Sequence, residues 1–284
     1  MNAAPDRFPA PAKLNLFLHV TGRRPDGYHL LQTVFRFVDY GDALEIRPRP
    51  DGRIELLAPL PGVPVEQDLC WRAARLLQAH TGCTQGADIR LIKRLPMGGG
   101  LGGGSSDAAT VLMVLNHLWG LGLSRATLQG LGLQLGADVP VFVYGQSAFA
   151  EGVGEVLQPM VLPPAAYVVL SPAVAVSTAA IFAHRELTRD TPSLTIAGLV
   201  GGVLTDTHND LEPLVVRLYP EVAAALHWLG QYAVARMTGS GACCFAAFDR
   251  REDAERVYAL RPPGMQGFVA SGLDRHPLFG LLLD

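Results

Sequence analysis

Pro96-Met97-Gly98-Gly99-Gly100-Leu101-Gly102-Gly103-Gly104-Ser105-Ser106-Asp107 joins two apolar stretches of different period. Upstream, Ile89, Leu91 and Leu95 read as a strand ending at Pro96. Downstream, Ala108, Val111, Leu112, Leu115 and Trp119 follow helical spacing, with Ser or Asp supplying the N-cap. Six glycines in the seven positions 98–104 are costly in backbone entropy. Such a loop lets main-chain N–H groups converge on an anion, and the helix N-terminus adds partial positive charge. Phosphate is the obvious anion. A flexible linker is the plain alternative, but glycine-serine linkers do not usually open a patterned amphipathic helix.

Two named phosphate loops fail here. Gly98, Gly100 and Gly103 match G-x-G-x-x-G, yet that fingerprint needs an acidic residue ~20 positions on, and there is no Asp or Glu between Asp107 and Asp138. The P-loop pattern fails because no Gly-Lys-Ser/Thr follows the glycines. From residue 89 to 150 the chain has just two carboxylates, Asp107 and Asp138. Asp107 reads as a dipole-complementing residue of the first helical turn, and Asp138, before Val139-Pro140, as a helix cap. A carboxylate near a phosphate loop is also what alcohol phosphorylation needs, since something must take the hydroxyl proton. Lys13 could pair with that carboxylate and attract the phosphate; it also fits an edge-strand lysine that wards off aggregation. Spacing alone does not bring Lys13 and Asp138 together.

The rest of the chain narrows the class. Of its 284 residues 49% are hydrophobic and 17% charged, with a net charge of −3, which excludes a disordered chain. No apolar run approaches the ~20 residues of a spanning helix. Met1–Asp6 lacks a basic segment leading into an apolar stretch, so no secretion signal is expected. Cysteines at 70, 83, 243 and 244 suit neither a disulfide framework nor zinc spacing, which points to a reducing, cytoplasmic setting. With 23 basic against 26 acidic residues, a nucleic-acid partner is not expected. Only Lys13 and Lys93 among the basic residues are lysines, a bias that codon usage explains.

Ala12, Leu14, Leu16, Leu18 and Val20 alternate with Lys13, Asn15, Phe17 and His19, which is strand logic. A polar loop at 22–27 precedes Tyr28 and His29; 43–47 and 54–57 read as a hairpin about Pro50-Asp51-Gly52. Helices are expected at 68–80, 108–119, 124–135, 178–187, 252–260 and, interrupted by Pro213 and Pro220, over 211–232. Strands are expected at 166–170, 243–248 and 267–271. Strands and helices without regular βαβ alternation imply an α+β chain in two lobes, 1–152 and 153–284, with the end of the chain (267–284) packing back onto the first.

Three segments together resemble the GHMP small-molecule kinases: Pro11-Ala12-Lys13-Leu14-Asn15-Leu16, the loop Pro96–Ala109, and Thr238-Gly239-Ser240-Gly241-Ala242. The middle one is highly specific and the last is weak alone. The resemblance implies a two-lobed fold, with an N-terminal lobe like the second domain of a ribosomal protein and an α/β C-terminal lobe. On that resemblance an active-site cleft would lie between the two. It also implies ATP and Mg²⁺, with Lys13 and Asp138 as the catalytic pair. Pro96, Met97, Gly98, Gly99, Gly100, Leu101, Gly102, Gly103, Gly104, Ser105 and Ser106 would wrap the ATP phosphates, and Ser106 is the candidate metal ligand. Within the family, Gly22–His29 and Gly136–Pro140 resemble the members acting on cytidine diphosphate methylerythritol. On that resemblance Asn15 would bind the erythritol hydroxyls, Tyr28 and His29 the cytosine, and Phe182 its other face. A flat pyrimidine favours a stacking aromatic, and its ring nitrogens favour hydrogen-bond partners. Asp68–Trp71 and Lys93–Arg94 are candidates for the adenine side. A mevalonate- or homoserine-type kinase would have no use for Tyr28-His29, and an RNA-binding module on a related fold would need a basic face that is absent here.

Overall fold

The computed structural model describes residues 7–195 and 207–282. Met1–Asp6, read above for a secretion signal, and the last two residues of the 267–284 segment lie outside them. A ten-stranded sheet runs through the described residues, with core order β3-β4-β2-β10-β7-β9-β8. Its spine is β1 (Arg7–Arg23) paired antiparallel with β2 (His29–Arg49). The pairing shifts register between Pro11 and Lys13, between Asn15 and Leu18, and between Val20 and Gly22. Such bulges bend a strand and re-aim its side chains. Gly41 permits the close approach: a Cβ there would stand 2.1 Å from the Ala10 carbonyl oxygen.

On β2 the sheet adds β4 (Gly86–Ile92) through residues 43–49, β5 (Ala148–Glu151) through 33–35, and β10 (Gln266–Leu273) through 37–38. β10 also bonds β7 (Ala166–Ser171), which pairs with β9 (Cys244–Phe248), and β8 (Ala235–Met237) closes that edge. β6 (Val156–Pro159) pairs with β5. The expected hairpin of 43–47 with 54–57 is not formed. β3 (Ile54–Leu56) runs parallel to β4, which lies between it and β2. Arg49 pins that corner, reaching Asp51, Glu55 and, at 2.5 Å, Asp88 of β4.

α1 (Leu69–Thr81) begins at Asp68, whose carboxylate accepts from the Cys70 and Trp71 amides, and ends at the left-handed Gly82. α2 (Gly103–Leu118) differs from expectation. It starts inside the glycine run with Gly102 as N-cap, and neither Ser nor Asp caps it. α3 (Arg125–Leu135) is capped by Ser124, and α4 (Val139–Tyr144) follows Asp138. α5 (Thr178–Ala183) stops short of the expected Leu187, with His184 already extended. α6 (Glu212–Leu218) and α7 (Pro220–Leu229) each carry their proline in the first turn, where its missing N–H costs nothing. α8 (Arg251–Ala259) packs on β7 and β10.

Three apolar clusters hold these layers. One joins α1, α2, α3 and α4 to β2; another joins β7, β9, α6 and α7. The third, between them, contains Ala12, Leu14, Leu16, Tyr167, Val169 and Phe245 together with Leu95 and Leu101. The glycine loop is therefore anchored by two leucines sunk in the middle core, each worth about 2 kcal/mol of burial.

Candidate functional site

The turns of the loop rest on glycine: φ is +69° at Gly98, +75° at Gly100 and +70° at Gly102. Close approach demands it too. A Cβ on Gly99 would stand 2.7 Å from Cys243 Sγ, and one on Gly100 2.2 Å from the Thr238 carbonyl oxygen. The third motif thus braces the loop. Cys243 N–H donates to the Gly99 carbonyl (3.1 Å), and the Thr238 hydroxyl donates to the Gly100 carbonyl (3.3 Å) while accepting from the Asn15 N–H (2.9 Å). Beyond it, the Gly103, Gly104 and Ser105 amides open α2, and the first hydrogen bond of the turn is Ser106 N–H to the Gly102 carbonyl. The preceding three N–H groups thus have no acceptor within the helix. Met97 is exposed.

β1 brings Lys13 under this loop. Its main-chain N–H donates to the Leu101 carbonyl (3.0 Å), and its side chain is almost fully buried. The ammonium donates to Asn15 Oδ1 at 2.6 Å, stands 3.2 Å from Asp138 Oδ2, and lies over the Phe35 ring. The structure thus joins the two residues that the sequence could not. Asp138 precedes α4 but makes no side-chain cap, and 37% of its side chain is exposed. Buried Asn15 divides its amide: the oxygen accepts from Lys13, and the nitrogen donates to Thr33 Oγ1 at 3.0 Å. Ser106 Oγ donates to the Pro11 carbonyl at 2.7 Å and is fully buried. Among the described residues no group of three His, Cys, Asp or Glu side chains is gathered to hold a metal ion.

Asp107 departs from its reading as a dipole residue. It points away from solvent to Lys93, whose ammonium donates to it (3.0 Å) and to Asp42 (2.5 Å). Asp42 also accepts from the Arg94 and Leu95 amides, so this buried cluster ties strand end, β2 and the start of α2 together. Two carboxylates share one lysine. Burial pushes Asp107 up to about 7, with Lys93 partly offsetting it, and the charge of Asp42 adds to the rise. Because the folded value exceeds the unfolded value of 3.8, the folded state binds more protons between them. That contribution to stability is complete below pH 3.8 and is lost as pH rises through about 7. Asp107→Asn should therefore gain on the parent protein by at most about 1.4 kcal/mol per pH unit across that window, read from urea midpoints at several pH values. Parallel midpoints for the two proteins would exclude the assignment.

On the other side of Asp138 a cavity of about 480 Å³ opens, lined by Arg23, Tyr28, His29, Ala137, Thr178 and Phe182 among others. Tyr28 is 63% exposed at its rim; His29 is buried, with its ring 5.1 Å from that of Phe182. Burial lowers the His29 pKa, and the Arg189 and Arg23 charges lower it further. The Ser240 and Thr178 hydroxyls share a 2.6 Å hydrogen bond, linking the third motif to the start of α5. Thr33, Asp42 and Arg189 escaped the sequence reading, because each acts through a partner distant along the chain.

The chain matches the model of the GHMP kinases N terminal domain over residues 68–146 and that of the GHMP kinases C terminal over 197–259. A protein of Thiobacillus denitrificans named 4-diphosphocytidyl-2-C-methyl-D-erythritol kinase is 63% identical, covering 96% of this chain and 97% of its own. One of the same name from Nitrosococcus oceani is 60% identical over 98% and 96%. A crystal structure of 4-(cytidine 5'-diphospho)-2C-methyl-D-erythritol kinase superposes with a TM-score of 0.81 at 34% identity, covering 94% of this chain and 99% of its own. A mevalonate kinase superposes at 0.69 with 14% identity, a likeness of fold alone. The chain belongs to the GHMP kinases, in the family of the 4-diphosphocytidyl-2-C-methyl-D-erythritol kinases.

Proposed function

We propose that this chain transfers the γ-phosphate of ATP to the tertiary 2-hydroxyl of 4-diphosphocytidyl-2-C-methyl-D-erythritol. The products are the 2-phosphate and ADP, a step of the methylerythritol phosphate route to isoprenoid precursors. The observation that carries this reading is the 3.2 Å Lys13–Asp138 pair, set between a glycine loop and an aromatic-walled cavity. Asp138 accepts the hydroxyl proton, and Lys13 offsets charge on Asp138 and on the transferring group. Asn15 and Thr33 hold Lys13 in line, leaving Asn15 one amide hydrogen for an erythritol hydroxyl. Tyr28, His29 and Phe182 take the cytosine.

The loop fits a nucleoside triphosphate. Its left-handed glycines give it the turns that a main-chain anion nest uses, and the places where Cβ atoms would stand at Gly99, Gly100 and Gly102 are already crowded by Cys243, Thr238 and Phe142. Gly103 and Gly104 border Lys93 and Leu69, which supports reading the adenine side near α1 and the end of β4. ATP would supply the phosphoryl group, and Mg²⁺ bound with it would offset phosphate charge. The Ser106 hydroxyl, the candidate protein ligand of the metal, is buried with its proton spent on Pro11, so most of the metal's ligands would come from the phosphates and water. We retain the division into a nucleotide lobe (1–152) and a substrate lobe (153–284), and a cytoplasmic setting, as parts of this reading. Among the described residues no helix is long and apolar enough to cross a membrane.

A coupled ADP-release assay tests the proposal. The diphosphocytidyl alcohol should be turned over, and mevalonate and homoserine should not. Equal or faster turnover of either would move the chain to another branch of the superfamily.

A further inference from the structure

Arg189 lies beyond α5, outside the three sequence motifs, and its guanidinium reaches both His29 and the main chain at Phe182, two residues that line the cavity. Its Nε–H donates to His29 Nε2 at 3.0 Å. Its Nη2 donates to the Phe182 carbonyl (3.0 Å) and the His184 carbonyl (2.7 Å), and its Nη1 to the Leu187 carbonyl (3.0 Å). Of these, the Phe182 carbonyl is one that a longer α5 would have bonded within itself; the helix stops at Ala183 and Arg189 takes that carbonyl up instead.

The hydrogen bond to His29 has a chemical consequence. A guanidinium offers only N–H donors and does not lose its proton, so its partner nitrogen must be a bare acceptor. The imidazole then carries its single proton on Nδ1, in a ring that lines the cavity. Among the described residues no hydrogen-bond partner meets Nδ1. Cytosine offers acceptors at O2 and N3, for which an N–H is the complement. The same guanidinium holds the main chain at Phe182, fixing that ring 5.1 Å from His29.

We propose that Arg189 is a positioning residue of the pyrimidine pocket, which holds His29 as the neutral Nδ1–H tautomer and pins Phe182 beside it. The inference deepens the functional reading above and rests on it for the identity of the base. The state of His29 belongs to the free protein.

Two measurements on the full chain test it. Nitrogen-15 spectra of the histidine rings, with the His29 signals assigned by their loss in His29→Gln, should show Nδ1–H and bare Nε2 at neutral pH. In Arg189→Met this preference should disappear. In steady-state kinetics Arg189→Met should raise KM for the diphosphocytidyl alcohol about tenfold, the scale of a lost charge-assisted hydrogen bond, while kcat and KM for ATP change little. Arg189→Lys, which keeps the charge but not the fork, should restore the tautomer and recover KM only in part. A protonated Nε2 in the parent protein would overturn the proposal. So would an unchanged KM for the alcohol, or equal losses in kcat and in KM for both substrates. If the parent protein fails to phosphorylate the alcohol at all, the functional reading falls, and the ring spectra alone decide whether Arg189 sets His29.

Discussion

Asp138→Asn should lower kcat by at least about a hundredfold while leaving the KM for ATP nearly unchanged, because a positioned base contributes ~10²–10⁴ and the nucleotide is held elsewhere. The carboxamide keeps the size of the side chain and can still meet Lys13 through its oxygen, but it cannot take a proton. Asp138 makes no cap for α4, so the helix loses no hydrogen bond. The ion pair is lost, yet Lys13 keeps its 2.6 Å bond to Asn15 and its place over Phe35. A drop in kcat with intact nucleotide affinity therefore reports the chemistry and not the fold. Initial rates of ADP release at saturating alcohol, with thermal melting as a control, make the measurement. Turnover within about threefold of the parent protein would remove Asp138 from proton transfer, since general-base catalysis is worth far more than that.

How far these residues could be read without coordinates follows from which of their partners are local. The helix at 69–81 was legible to within a residue, because its cap and its stop are properties of Asp68 and Gly82 themselves. Pro220 parts α6 from α7 as expected, whereas Pro213 does not interrupt a helix but sits in the first turn of α6, which runs on through it. β2 was not, because Gln32, Thr33, Arg36 and Asp42 are buried among its apolar residues and blur the alternation. Each is polar for a distant partner: Thr33 for Asn15, Arg36 for Asp274, Asp42 for Lys93. The false hairpin at 43–57 arose because a turn sequence shows where a chain reverses, and not which strand slips between the arms. The start of α2 was placed too late, because glycine disfavours helix by ~1 kcal/mol and the signal of propensity pointed away from it. Tertiary packing overrides that preference and favours a small residue at 103, where a Cβ would stand 3.0 Å from Lys93 Nζ and 3.4 Å from Leu95 Cδ1. For the site, the glycine loop and Asp138 were visible as chemistry, and their juxtaposition with Lys13 depended on the bulged register of β1.

Gly102→Val should abolish measurable ATP binding, and the argument is steric at two levels. With φ at +70°, Gly102 occupies the left-handed region, which a β-branched residue adopts only with strain. Its new Cβ would also stand 2.9 Å from two ring carbons of Phe142 and 3.0 Å from Lys13 Cε. Phe142 is fully buried and cannot swing away, so the loop must move instead. That motion turns the amides at the head of α2 away from the phosphates and shifts Lys13 from Asp138. We expect nucleotide affinity to fall by more than about a hundredfold, corresponding to roughly 3 kcal/mol of lost interaction, by isothermal titration calorimetry. Gly104→Ala is the matched control. Its φ is not in the left-handed region, its Cβ would meet only Leu69 Cδ1 at 3.3 Å, and alanine favours the helix it sits in. The control should fold and bind ATP close to normally, showing that added bulk in the run is tolerable where the backbone is helical. A Gly102→Val protein that melts cooperatively and still binds ATP as the parent does would show that these amides are not the phosphate cradle.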